Sequence, residues 1–282
     1  MRGDFLLGVK ETIKRFNELR NENKEKPVRV ITHIDCDGLC SAAILARALY
    51  RLNIKFVLSS AKLIEKELLV ELSKEPYDIL IFLDFGSGSL KEIEKHLGEK
   101  HVFVLDHHLF EDAKTNAMHL NPHMYGVDDY QEVSGAGVAY FFAKELDDRN
   151  IDLSYIAIIG AIGDVQEKNG FAGLKKMILD DAVNSGKLEI SKGLRLFGVQ
   201  TRPLHKLLEY SVEPYIPGVT GNEDGAIIFL KENEIELRNG KGDYRKIHDL
   251  NNEELKRLVT GIILRSLGTE ENPEDIFGMI YN

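Results

Sequence analysis

The chain has 282 residues, 43% of them hydrophobic, with 46 acidic and 36 basic side chains and a formal net charge of -10. That length provides for one large or two moderate domains with a sizeable core, and the acidic balance excludes a protein that coats nucleic acid by bulk charge. The two cysteines, Cys36 and Cys40, are too few for a disulfide framework or a four-ligand zinc site, and a reducing cytoplasm is their simplest setting.

The first segment, MRGDFLLGVKETIKRFNELR, sets Phe5, Leu6, Val9, Ile13, Phe16 and Leu19 at helical spacing, interrupted by charges as a signal peptide is not. Short β-like runs then alternate with helical patterns: VRVIT, a helix over 38–51, IKFVLS, a helix over 62–73, DILIFL, a helix over 88–97, and HVFVL. Such alternation predicts an α/β fold, a parallel sheet with helices on both faces. A loop at 111–133 leads to a helix that opens at SGAG, 134–137, and runs to about Arg149. The apolar run YIAIIGAIG, 155–163, is too short to span a bilayer and is read, like the strands, as ending on an acid, Asp164.

From 166 to 282 the texture turns to charged helical pieces with a proline-containing loop at 213–220. A small hairpin of AIIFL and EIELR and a helix over 252–266 follow. The boundary falls within 165–190 and is placed at 165, giving a metal-site domain over 1–165 and a mostly helical extension over 166–282.

Chemistry gathers at the ends of the apolar runs. THIDCDG supplies His33, Asp35 and Asp37, DILIFLDFG supplies Asp84, HVFVLDHH supplies Asp106, His107 and His108, and GAIGDV supplies Asp164. In a doubly wound sheet the carboxyl ends of parallel strands share one edge, so these clusters converge. Turn or capping roles account for any one of these acids alone; four clusters delivered in the same way require a common cause. Buried carboxylates need neutralising, and Asp with His but without cysteine describes a site for manganese or magnesium.

These residues resemble the DHH phosphoesterases, in the order HxDxDG, Asp-Phe-Gly, DHH, SGAG and GDV over 28–165. Within that family HIDCDG and the SGAG helix are most similar to RecJ-type single-strand exonucleases, and the overall texture to their archaeal relatives, including the GINS-associated nuclease. The resemblance implies that His33, Asp35 and Asp84 hold one divalent cation and that Asp37, Asp84, His107 and Asp164 hold a second, with Asp84 bridging and manganese preferred over magnesium. The four ligand aspartates then match the charge of two dications. Asp106 would orient His107, and His108 would face the scissile phosphate as a hydrogen-bond or proton donor. The turn at Ser134, Gly135 and Gly137 would bind a neighbouring phosphate through backbone N–H groups.

The implied activity is a two-metal phosphodiesterase, an exonuclease on single-stranded DNA or RNA in replication or repair. Its alternatives are a phosphodiesterase for short oligonucleotides or cyclic dinucleotides, a pyrophosphatase, and a replication scaffold that binds GINS. Members of the family mostly carry a second domain with a glycine-rich GGGH-type motif, absent from 166–282, so the expectation is either a chain that stops before a DHHA1-type substrate domain, the favoured reading, or one that closes its cleft differently. Of the other side chains, Cys36 reads as a small filler beside the cations, and Arg202 and Lys206 as a solvated helix face. His96, His101, His119, His123, His205 and His248 read as surface or loop residues.

Overall fold

Five short segments make the sheet of the N-terminal half: β1 (Val28–His33), β2 (Phe56–Ala61), β3 (Ile79–Leu83), β4 (His101–Leu105) and β5 (Met118–Leu120). β3 is buried throughout and β4 at all but its first residue, as expected of strands covered on both faces. Every pairing is parallel, in the order β2-β1-β3-β4-β5, so the direction of winding reverses at β1. The register aligns Thr32 with Leu83, Leu83 with Leu105 and Leu105 with Leu120. The next residues along, His33, Asp84, Asp106 and Asn121, therefore stand side by side at one edge of the sheet.

The computed structural model describes residues 2–127, 132–167, 170–194, 196, 198–212, 214–267 and 277–282, and the chain divides into the units Met1–Leu188 and Glu189–Asn282. In the first unit, Ile31, Leu80, Phe82, Val102 and Val104 pack on Leu69 and Leu72 of α3 (Lys66–Lys74) and on Leu90, Ile93 and Leu97 of α4 (Leu90–Leu97). The opposite face is covered by α1 (Arg2–Glu22), α2 (Cys36–Arg51) and α5 (Gly135–Leu146). There Phe16 meets Phe103 and Phe142 edge-on, with ring centroids 5.8 and 5.6 Å away.

The structure corrects three expectations. The run ending at Asp164 is a helix, α6 (Ser154–Gly163), whose 10 residues exceed the length of a typical buried strand. Its Gly160 lets it approach α5, where a Cβ would come 2.5 Å from that of Ala136. The boundary lies at Leu188 rather than 165, since α7 (Gly173–Asn184) buries Leu174, Ile178 and Ala182 within the first unit, in contact with α6. Finally, AIIFL is part of helix α9 (Glu223–Glu232): Asn222 caps it by accepting from Gly225 N, and Ala226, Phe229 and Leu230 are buried at helical spacing.

In the second unit, α8 (Leu204–Glu209), α9 and α10 (Asn252–Ser266) enclose a core that includes Leu207, Leu208, Phe229, Leu230, Leu258 and Ile262. Its antiparallel pair is β6 (Ile190–Leu194) with β7 (Phe277–Tyr281), not AIIFL with EIELR. No helix among the described residues is long and apolar enough to cross a membrane.

Phe16 is fully buried, and its truncation leaves a ring-sized cavity between β4 and α5. Phe16→Ala is expected to destabilise the first unit by about 3–5 kcal/mol, read as a lower urea midpoint with an unchanged slope.

Candidate metal centre

The edge formed by the ends of β1, β3 and β4 receives α2 and α5 on one side, and six side chains meet there. Asp84 is the central one. It follows β3 with its N–H still bonded to Leu105 O (2.9 Å), but its φ of +64° turns the carboxylate out of the ladder. Asp is among the few residues that adopt this left-handed conformation at modest cost. The side chain is 1% exposed, and both its oxygens are buried without a hydrogen-bond partner. Gly135 is the only residue type that fits against it, since a Cβ there would collide with Asp84 Oδ1.

His33 ends β1 with Nδ1 at 2.9 Å from Asp35 Oδ2 and 3.7 Å from Asp84 Oδ2. Asp35 is also the N-cap of α2, accepting from Gly38 N at 2.9 Å, so its capping and clustering roles coexist. On the other side, His107 Nε2 lies 3.4 Å from Asp84 Oδ1, 3.5 Å from Asp164 Oδ2 and 3.7 Å from Asp37 Oδ2. Asp164 is the C-cap of α6, delivered by a helix end instead of a strand end. Among the described residues, three sets each offer ligand atoms within 4.8 Å of one another: His33, Asp35 and Asp84; Asp37, His107 and Asp164; and Asp84, His107 and His108.

Two expected roles change. The first turn of α5 has no N–H available for a substrate phosphate, because Gly135 N (2.6 Å) and Ala136 N (3.0 Å) donate to Asp37 and Gly137 N (3.3 Å) donates to the Ser134 Oγ cap. Ser134, Gly135 and Gly137 thus hold a buried carboxylate and a helix start, and the helix dipole favours that anion. Likewise, the ring held by Asp106 is that of His108, not His107. Asp106 Oδ1 accepts from His108 Nδ1 (2.8 Å), His108 N (3.2 Å) and His107 N (2.7 Å), because a carboxylate at the start of a tight turn reaches the side chain two residues on.

The titration of these groups follows from burial and mutual repulsion. Burial and the charges of Asp37, Asp106 and Asp35 push the Asp84 carboxyl far above the usual carboxylate range. Burial and the Asp164 charge raise Asp37 to about 6 despite its amide donors. Burial, with the His108 charge, lowers His107 to about 4, favouring the neutral imidazole that ligates a cation. Against burial, the His108 hydrogen bond and charge and the Ser87 amide hold Asp106 far below its ordinary value.

Several side chains escaped the sequence reading. Ser87, His119 and Asn121 surround the Asp106–His108 pair, with His119 Nε2 and Asn121 Nδ2 each 2.9 Å from Ser87 Oγ. The sequence signal was β5, whose three residues are too short a run to recognise. His205, also read as a surface residue, is 3% exposed in the second unit. Lys206 is paired with Glu209 (2.8 Å) and Glu223 (2.7 Å).

A divalent cation fits this donor set: buried carboxylate oxygens without donors, beside neutral imidazole, are what a hard cation satisfies. In the cation-free protein, folded Asp37 keeps a proton that the unfolded chain releases near pH 4. Its contribution to stability therefore falls as pH rises from about 4 through about 6. Measured as the stability difference from Asp37→Asn in EDTA, wild type should lose roughly 2–3 kcal/mol across that window, and millimolar Mn2+ should restore it.

Comparison with known proteins follows the same lines. Residues 27–162 match the DHH family, N-terminal domain, and residues 196–280 match the DHH-CID domain. The chain is 34% identical over 268 residues to the protein MJ0831 of Methanocaldococcus jannaschii, an alignment covering 90% of this chain and 59% of that one, so it spans less than two thirds of that relative's length. Its fold is similar to that of CDC45 from Entamoeba histolytica, with a TM-score of 0.72 and 16% identity over 96% of this chain and 59% of the other. It is also similar to that of RecJ in complex with Mn2+ from Thermus thermophilus, with a TM-score of 0.51 and 19% identity over 92% of this chain and 37% of the other. With domain models matched in both halves, the chain carries the N-terminal domain of the DHH family and a DHH-CID domain, and it has a RecJ-like fold.

Proposed function

We propose that this chain is a metal-dependent phosphodiesterase that removes nucleotides from an end of single-stranded DNA or RNA. The observation that carries the reading is the buried, donor-less carboxylate of Asp84 between two sets of ligand groups. His33, Asp35 and Asp84 would hold one divalent cation, and Asp37, Asp84, His107 and Asp164 another. Manganese is favoured over magnesium by the imidazole ligands, and the manganese-bound RecJ of similar fold supports a divalent cation at this site. Two such cations, when bound, acidify a water and stabilise charge on the attacking and leaving oxygens at phosphorus.

The protein's own part is to hold that geometry and supply a donor. Asp106 fixes His108 through Nδ1, so that the opposite ring nitrogen donates toward a phosphate oxygen. The hydrogen bond to Asp106 raises the His108 pKa against burial, which favours the proton-bearing form. A second reading, a replication scaffold that docks on GINS, is supported by the fold similarity to CDC45. All six ligand positions are filled in this chain, which favours catalysis.

The test is digestion of a 5′-labelled oligonucleotide, as DNA and as RNA, with Mn2+, Mg2+ or chelator. Wild type should release labelled mononucleotide, chelator should abolish it, and Asp84→Ala should reduce it more than about 100-fold. Absence of release from either strand and from dinucleotides, by protein that binds Mn2+, would overturn the nuclease reading.

A further inference from the structure

Five parallel strands end at this edge of the sheet, and the metal centre uses the ends of three of them, β1, β3 and β4. The end of β5 places Asn121, which is fully buried. Its side-chain nitrogen lies 2.9 Å from Ser87 Oγ and 2.8 Å from His108 O, and its Oδ1 lies 3.0 Å from His123 N. The His123 amide can only donate, so it sets the amide orientation: oxygen toward His123, both hydrogens toward Ser87 and His108.

Ser87 Oγ accepts from Asn121 and keeps a second lone pair and one hydrogen, either of which meets His119 Nε2 at 2.9 Å according to the tautomer of that ring. Burial lowers His119 to about 4, and the Phe110 ring stands edge-on to it at 5.6 Å. Ser87 N in turn donates to Asp106 Oδ2 at 2.9 Å, while Asp106 Oδ1 takes His108 Nδ1. The backbone carbonyl of His108 is thus gripped from one side by Asn121, and its ring from the other by Asp106.

We propose that Asn121 and Ser87 are positioning residues for His108: with His119 as a further hydrogen-bond partner of Ser87, they fix the DHH turn so that the His108 ring points at the scissile phosphate. The proposal rests on the phosphodiesterase reading for what His108 does, but the buried network itself does not. His119 belongs to none of the three sets of ligand groups, and Asn121 and Ser87 meet the site through His108 O and Asp106 Oδ2, so their loss should change the aim of His108 and leave cation binding in place.

The experiment compares Asn121→Asp, which keeps the shape and the acceptor for His123 but removes both donors, with Ser87→Ala, and with Ser87→Thr as the hydroxyl-retaining control. Expected is a fall of about 10–100-fold in kcat for the first two at nearly constant KM, Mn2+ affinity by calorimetry equal to wild type, and recovery in Ser87→Thr. In the cation-free protein, 15N-histidine NMR should show the hydrogen-bonded Nδ1–H of His108 in wild type and its loss or upfield shift in Asn121→Asp and Ser87→Ala. Retention of that signal with wild-type kcat would overturn the proposal, as would a parallel loss of Mn2+ affinity and kcat, which marks general collapse of the site. If wild type cleaves no strand while the signal still responds, the nuclease reading falls and the positioning network stands.

Discussion

The N-terminal unit is organised around the cost of burying the Asp84 carboxylate within reach of other acids. An ionised carboxylate out of water requires donors or a counter-charge. The neighbouring acids obtain donors from the chain: Asp37 from two amides at the start of α5, Asp35 from Gly38 N, and Asp106 from Ser87 N and the DHH turn. Asp164 accepts from Gln166 Nε2 at 3.1 Å. Asp84 alone of these acids has both oxygens buried and no hydrogen-bond partner. The chain thus supplies donors to the surrounding acids and leaves the central carboxylate without one.

Holding that arrangement distorts the chain where it passes closest. Asp84 has φ +64° and Val165, a β-branched residue directly after Asp164, has φ +55°; such conformations persist only when surrounding packing over-determines them. Small residues allow the approach: a Cβ at Gly160 would lie 2.5 Å from Asp37 Oδ1, and one at Gly163 2.6 Å from Cys36 Sγ. The two faces of buried aliphatic and aromatic packing around β3 and β4 offset these local costs.

The sheet was legible because its central strands are covered on both faces and read as continuous apolar runs ending on acids. That same cue misread α6, since nine apolar or small residues fit a buried strand and a buried helix equally well. In AIIFL the helical cap at Asn222 carried the deciding information, and the hydrophobicity misled. Local sequence also cannot say which of two adjacent histidines a preceding Asp will hold. The turn after β4 decides it, aiming Asp106 at His108 and leaving His107 among Asp37, Asp84 and Asp164. SGAG announced a helix start, but only the fold shows that its amides face a carboxylate from α2.

On the proposed reading, charge sets an order of events. A phosphodiester is an anion, and the edge it must approach gathers Asp35, Asp37, Asp84, Asp106 and Asp164 in a chain whose net charge is already -10. Neither the site nor the surface as a whole attracts such a substrate, so attraction must come from the bound cations themselves. Cation binding then does three things at once: it relieves the repulsion that raises Asp37 and Asp84, it turns the local potential from repelling to attracting, and it completes the reacting geometry. On that reading the site stays inert toward nucleic acid until it is loaded.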